Sequence, residues 1–149
     1  MSKLMICVDV TNESINSFKG QLKNYDWSRW DEVHFVHGFE TQVYADTFYF
    51  ASYPLESQMD DIEKSVATLL QGLSKELIPS DYKGKVIGKC LFANSSKIAL
   101  KEYAQENSID EMIIETRGKH GFSGLFSSSF AEYMVGHAPC RLMILREND

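Results

Sequence analysis

Apolar residues recur along this chain at two alternating spacings. Lys3 to Asp9 is a continuous aliphatic run closed by an acid, the pattern of a parallel strand covered on both faces. Thr11 and Asn12 then offer N-cap oxygens, and Ile15, Phe18 and Leu22 fall at helical spacing, which predicts a helix over about 13–24. Glu32 to Gly38 is β-branched and aromatic and reads as a second strand closing on glycine. Residues 39–55 keep no period, yet they hold Phe39, Tyr44, Phe48, Tyr49, Phe50 and Tyr53, a dense aromatic cluster for a connecting loop that something should cover. Met59, Ile62, Val66, Leu69, Leu70, Leu73 and Leu77 mark one face of a long helix, and Pro79 ends it. A third strand over Gly84 to Phe92, a serine-capped helix from Ser95 to about Asn107, and a fourth strand over Glu111 to Thr116 follow. A helix from about Ser128 to Gly136 and a last strand, Cys140 to Arg146, complete the series.

Strands separated by helices require right-handed crossovers, so the expected class is α/β, a three-layer sandwich with an open parallel sheet and helices on both faces. There is no internal repeat, low-complexity tract or linker, and residues 1–149 read as a single domain.

Composition narrows the function. With 44% hydrophobic and 24% charged residues the chain is globular rather than disordered. Its net charge of −6 repels a nucleic-acid backbone, and the aromatic stretch is flanked by Glu40, Asp46 and Glu56 without Lys or Arg, so no nucleic-acid partner is expected. The longest aliphatic runs fall far short of the ~20 residues that span a bilayer, and the first apolar run stops at Asp9, so neither a membrane partner nor a secretory leader is expected and the cytoplasm is the expected location. Cys7, Cys90 and Cys140 are odd in number, lack CxxC spacing and sit in aliphatic runs, which points to buried reduced thiols.

In open α/β sheets ligands bind outside the carboxyl ends of the strands, where the strand order reverses. That rule selects Asp9 and Val10, then His37 and Gly38, then 93–95, and the segment 115–129. The last packs Gly118, Gly121 and Gly124 at steps of three, with Arg117 and Lys119 beside them and serines 127–129 opening a helix. Free backbone N–H groups at a helix N-terminus suit an anion, and serine hydroxyls add donors. The plainer alternatives are that Asp9 caps the next helix, Gly38 supplies a turn and the serines only start a helix. Other chemistry finds little support. His34 and His37 differ by three along a strand and so face opposite sides, which argues against a shared metal. His137 and Cys140 lack an orienting third group, and no P-loop, nucleophile elbow or HExxH motif is present, so no catalytic residue and no enzyme is expected beyond slow nucleotide hydrolysis.

The first strand ending in Asp9, the second ending Val36-His37-Gly38, and the block from Ser108 to Arg146 with Arg117-Gly118 and His137-Ala138-Pro139-Cys140 resemble the universal stress protein family over nearly the whole chain. The resemblance implies a five-stranded sheet in order 3-2-1-4-5, a homodimer paired through the C-terminal edge strand, and, in one subclass, ATP on a loop of pattern G-x2-G-x9-G-[ST]. Carried onto this sequence, it places Asp9 at a ribose or adenine, Gly38 at the adenine edge, and Gly118, Ser128 and Ser129 at phosphates, with Val10 and Arg117 alongside. The cofactor implied is ATP or AMP, with magnesium arriving only on the nucleotide. Two of the pattern's glycines are replaced, by Glu115 and Ser128. A carboxylate ~4 Å from a phosphate charge would repel it by about 4 kcal/mol at an effective dielectric of 20 unless it rotated into solvent. Two functions are therefore expected in competition: a stress-response dimer switched by ATP or AMP, and a dimeric adaptor of the same fold that binds no nucleotide and acts through protein contacts.

Overall fold

The computed structural model of the chain describes residues 1–45, 50–116 and 128–146. In chain order the elements are β1 (Lys3–Cys7), α1 (Asn12–Gln21), β2 (Glu32–Glu40), β3 (Gln42–Ala45), β4 (Phe50–Tyr53), α2 (Glu56–Leu77), β5 (Lys85–Ala93), α3 (Ser96–Glu106), β6 (Glu111–Thr116), α4 (Ser128–His137) and β7 (Arg141–Arg146). Five strands form a parallel sheet in the order β5-β2-β1-β6-β7, and β3 and β4 form a separate antiparallel pair. Because that hairpin takes two strand numbers, the arrangement is the expected 3-2-1-4-5 sheet renumbered.

The central strand explains the uninterrupted aliphatic run. Ile6 is paired with Phe35 on one side and Ile113 on the other, and Leu4 through Val8 are fully buried. Helices α1 and α2 pack together on one side of the sheet and α3 and α4 on the other. They bury Phe18, then Val66, Leu70, Leu73 and Leu77, then Leu100 and Ala104, then Phe130 and Met134. Each large side chain so covered contributes about 1.5–3 kcal/mol.

Several boundaries differ from expectation. α1 ends at Gln21 rather than near 24, and the buried Leu22 is its C-cap. α2 begins at Glu56, ahead of Met59, because the Gln58 side chain accepts from the Leu55 N–H at 3.1 Å and closes its first turn. Leu69, placed on the apolar face of that helix, is 46% exposed, since the neighbouring Leu70 occupies the inward position. β2 continues two residues past Gly38, and the aperiodic stretch after it contains the β3–β4 hairpin, whose short strands were hidden by the run of aromatics. Phe48 and Tyr49 of that cluster, with Asp46, lie outside the described residues. Ser95 is the N-cap of α3, but its side chain makes no cap bond. The Glu40 carboxylate substitutes for it, accepting from the Ser96 N–H at 3.2 Å and the Ser96 hydroxyl at 2.8 Å. Cys7 and Cys90 are buried, whereas Cys140 is half-buried and precedes β7 rather than starting it.

Candidate functional site

The strand order reverses between β1 and β6, so the fold directs attention to the carboxyl ends of these strands and of β2 beside them. A cleft of about 350 Å³ opens there, lined by Asp9 just past β1, by His37, Gly38, Phe39 and Glu40 of β2 and by Ser96, with Gln42 and Tyr53 of the hairpin forming one wall. Phe39 links that wall to the sheet, its ring centroid lying 6.4 Å from Tyr53 and 5.5 Å from Phe92. The aromatic-rich stretch after β2 thus contributes directly to the cleft.

Asp9 follows β1 and is partly exposed at the cleft. It does not cap α1. Thr11 does, its Oγ1 accepting from the Ser14 N–H at 3.3 Å, and among the described residues no hydrogen bond reaches the Asp9 carboxylate. Val10 packs against the core. His37 is 6% exposed, and its Nδ1 lies 2.8 Å from the Val8 carbonyl oxygen. That bond requires a proton on Nδ1, which leaves Nε2 of the neutral ring as an acceptor. Burial lowers the His37 pKa below the ordinary histidine value, against the opposing pull of the Val8 carbonyl and the Asp9 charge. Gly38 has a packing reason: a Cβ there would stand 2.9 Å from the Ser96 Cβ, so glycine lets the start of α3 close onto β2. The reading of Gly38 as a turn residue is corrected, because it lies inside β2 opposite Leu91.

The remaining predicted residues divide. Arg117 and Gly118 lie outside the described residues, as do Lys119, His120, Gly121 and Gly124. Ser128 and Ser129 open α4, as the serine pattern predicted. Glu115 departs from the expected picture: it is the fifth residue of β6, fully buried, and its Oε2 accepts from the Gln21 amide at 3.0 Å. The carboxylate is therefore held under α1 and has no rotation into solvent.

Outside the cleft, His34 is 1% exposed in a separate network, with Nε2 3.0 Å from Glu32 Oε2 and Nδ1 2.8 Å from the Tyr103 hydroxyl. Among the described residues no cluster of His, Cys, Asp and Glu could hold a metal ion. His137 ends α4 and bonds through Nδ1 to the Tyr133 carbonyl oxygen at 2.8 Å, stacked on the Tyr133 ring. Sequence reasoning missed Glu40, Gln42, Tyr53 and Ser96 as site residues. Only the strong β character of the residues before Glu40 could have signalled that β2 runs far enough to bring that carboxylate to α3.

An open parallel sheet with its cleft at this edge defines an α/β protein of the doubly wound class. The sequence model of the universal stress protein family matches residues 2–146, and the chain belongs to that family. The solved structure of universal stress protein UspA from Lactobacillus plantarum is similar over 97% of each chain, with a TM-score of 0.67 at 16% identity. A protein of the universal stress protein family from Burkholderia pseudomallei gives a TM-score of 0.65 at 12% identity, over 97% of this chain and 95% of that one. A universal stress protein in complex with cAMP gives 0.61 at 10% identity, over the same shares. Identities this low establish a common fold. No curated protein sequence matches the chain significantly. No helix among the described residues is long and apolar enough to cross a membrane.

Proposed function

We propose that this chain is a cytoplasmic stress-response dimer that binds an adenine nucleotide, ATP or AMP, at the carboxyl ends of β1 and β2, and that it acts by binding rather than by catalysis. The observation that carries this reading is the convergence of Asp9, His37 and Gly38 on one cleft. An aspartate that accepts no hydrogen bond among the described residues is a ready acceptor for ribose hydroxyls, and a neutral His37 adds an acceptor for an exocyclic amine. The Phe39 and Tyr53 rings give the cleft an aromatic surface on which a planar base can pack. The similar universal stress protein in complex with cAMP supports an adenine nucleotide as the ligand class.

The charges lining the described cleft are Asp9 and Glu40, both negative, so phosphates must be held elsewhere. In this reading they lie over Arg117, Gly118 and the start of α4 at Ser128 and Ser129, with magnesium carried in only on the nucleotide. Occupancy there would favour one conformation of the dimer and so select its protein partner. Dimerisation through β7 is supported by its edge position and by Ile144, 41% exposed on that strand. The alternative, a dimeric adaptor without nucleotide, draws support from Glu115 and from the acidic lining of the cleft.

The test is direct. The purified protein is denatured, released adenine nucleotide is sought by chromatography, and ATP and AMP are titrated in a thermal-shift assay. Bound nucleotide, or a rise in Tm that Asp9→Ala abolishes, is the expected result. An empty protein with no shift at millimolar nucleotide rejects the switch and leaves the adaptor.

A further inference from the structure

The far edge of the sheet, away from β7, has its own character. β5 runs nine residues and is hydrogen-bonded only to β2, so one row of its backbone donors and acceptors is unpaired among the described residues. Alongside it, between the strand and α2, runs a groove of about 780 Å³. Its apolar lining includes Leu70, Ile78, Val86 and Ile87, and Val86 is 41% exposed. Gly88 sits exposed at the middle of the strand and leaves the groove open at that point.

The charge around this groove is of one sign. Lys64 and Lys75 are the only charged residues lining it among those described. They stand eleven residues apart on α2, three helical turns and about 16 Å along one face. Lys85 and Lys89 alternate with Val86 and Gly88, so they lie on the other face of the strand, outside the groove. Among the described residues neither Lys64 nor Lys75 forms an ion pair. Asp81 lines a neighbouring cavity instead, and Glu63, Glu102 and Glu106 gather around the carboxyl half of the strand near Cys90 and Ala93. In a chain of net charge −6, this basic groove is an exception.

We propose that the amino-terminal half of β5 and its groove form a docking site for an extended acidic segment of a partner protein, which adds to the sheet as a sixth strand. An added strand takes its affinity from the unpaired backbone groups, and its alternate side chains enter the groove. The groove-facing side chains of the segment are apolar at its centre, where they meet Val86 and Leu70, and acidic at its ends, where they meet Lys64 and Lys75. A second copy of this chain is the wrong occupant. Pairing β5 antiparallel about its centre would set Lys89 against Lys89, and like charges directly opposite one another destabilise a strand pair.

The probe is a fluorescein-labelled peptide, acetyl-Glu-Thr-Val-Thr-Glu-amide, whose two carboxylates and central valine share one face, followed by anisotropy, with the charge-inverted Lys-Thr-Val-Thr-Lys peptide as its counterpart. Amide hydrogen exchange is measured on the same complexes. The acidic peptide is expected to bind and to slow exchange of β5 amides over 85–89, and the basic peptide is expected to bind at least about tenfold more weakly. Lys64→Glu with Lys75→Glu, both on the helix surface and checked for fold by circular dichroism, should reverse that preference. Equal binding of the two peptides overturns the proposal. So does acidic-peptide binding without protection of β5 amides, and so does the absence of binding at millimolar peptide. Concentration-dependent protection of β5 in the protein alone would assign the edge to self-association and also overturn it.

Discussion

The Gln21 side chain, on the last residue of α1, donates to the buried Glu115 carboxylate of β6 at 3.0 Å and ties that helix to the sheet. A buried carboxylate that loses a hydrogen-bond donor bears a desolvation cost of about 1–3 kcal/mol. Gln21→Ala should therefore destabilise the fold by that amount in urea unfolding. Glu115→Gln keeps the shape and a hydrogen bond to Gln21 and should cost less than Gln21→Ala. Glu115→Gly removes buried volume from β6 and should cost about 2 kcal/mol or more. If the Glu115 charge opposes phosphate, the glutamine variant alone should raise ATP affinity.

That pair also shows how far the sequence could be read. Glu115 was recognised as an acid where the family pattern has glycine, but its place came from Gln21, 94 residues away. Strands and helices with strong local patterns, such as Glu111–Thr116 and the helix ended by Pro79, were legible because burial repeats at their own period. The hairpin was not, because Phe50–Tyr53 and Gln42–Ala45 alternate too briefly to establish a period. Asp9 and Gly38 were found by the rule that ligands sit at strand ends. Glu40 was hidden because its task at α3 depends on the pairing of β2 with β5, a contact of distant residues.

Gly38 is held to glycine by the approach of α3. A methyl group there would press on Ser96 Cβ at 2.9 Å, and either the helix or the strand must move. Gly38→Ala should lower stability by about 1–3 kcal/mol, a fall of several degrees in Tm, whether or not a nucleotide is present. A thermal melt of the nucleotide-free protein checks this. Gly38→Ala with an unchanged melt would show that the helix start gives way freely.

The three thiols should be slow to react. Burial pushes Cys90 and Cys140 up to about 11 and Cys7 higher still. At pH 8 a thiol of pKa 11 is thiolate in about one molecule in a thousand, and the thiolate is the reacting form. With a chromogenic disulfide reagent the native protein should react far more slowly than the urea-unfolded chain, in which all three titrate promptly. Cys140 is the half-buried one and should lead. Rapid stoichiometric labelling of Cys140 at pH 7 would contradict the environment described and revive a nucleophilic role for it.

Two buried histidines set the dependence of stability on mildly acid pH. Burial lowers the pKa of both His34 and His37 below the ordinary value, although Glu32 pulls His34 upward and the Val8 carbonyl and Asp9 pull His37 upward. Between the folded pKa and about 6.5 the unfolded chain binds more protons than the native one at these two residues, so their contribution to stability rises with pH across that window and is level above it. Each histidine adds a slope of at most about 1.4 kcal/mol per pH unit within the window. The carboxylates of Asp26, Asp31 and Glu32 are held below their ordinary values by hydrogen bonds from Ser28, from Ser2 and from His34 respectively. Their contribution is lost only near pH 4 and below, so the two effects separate. Urea midpoints should be lower at pH 5.5 than at pH 7.5. His37→Gln should flatten part of that drop, and His34→Gln the rest. A stability that climbs as pH falls from 7 to 5.5 would mean that the native state favours imidazolium, and the neutral His37 acceptor at the cleft would have to be abandoned.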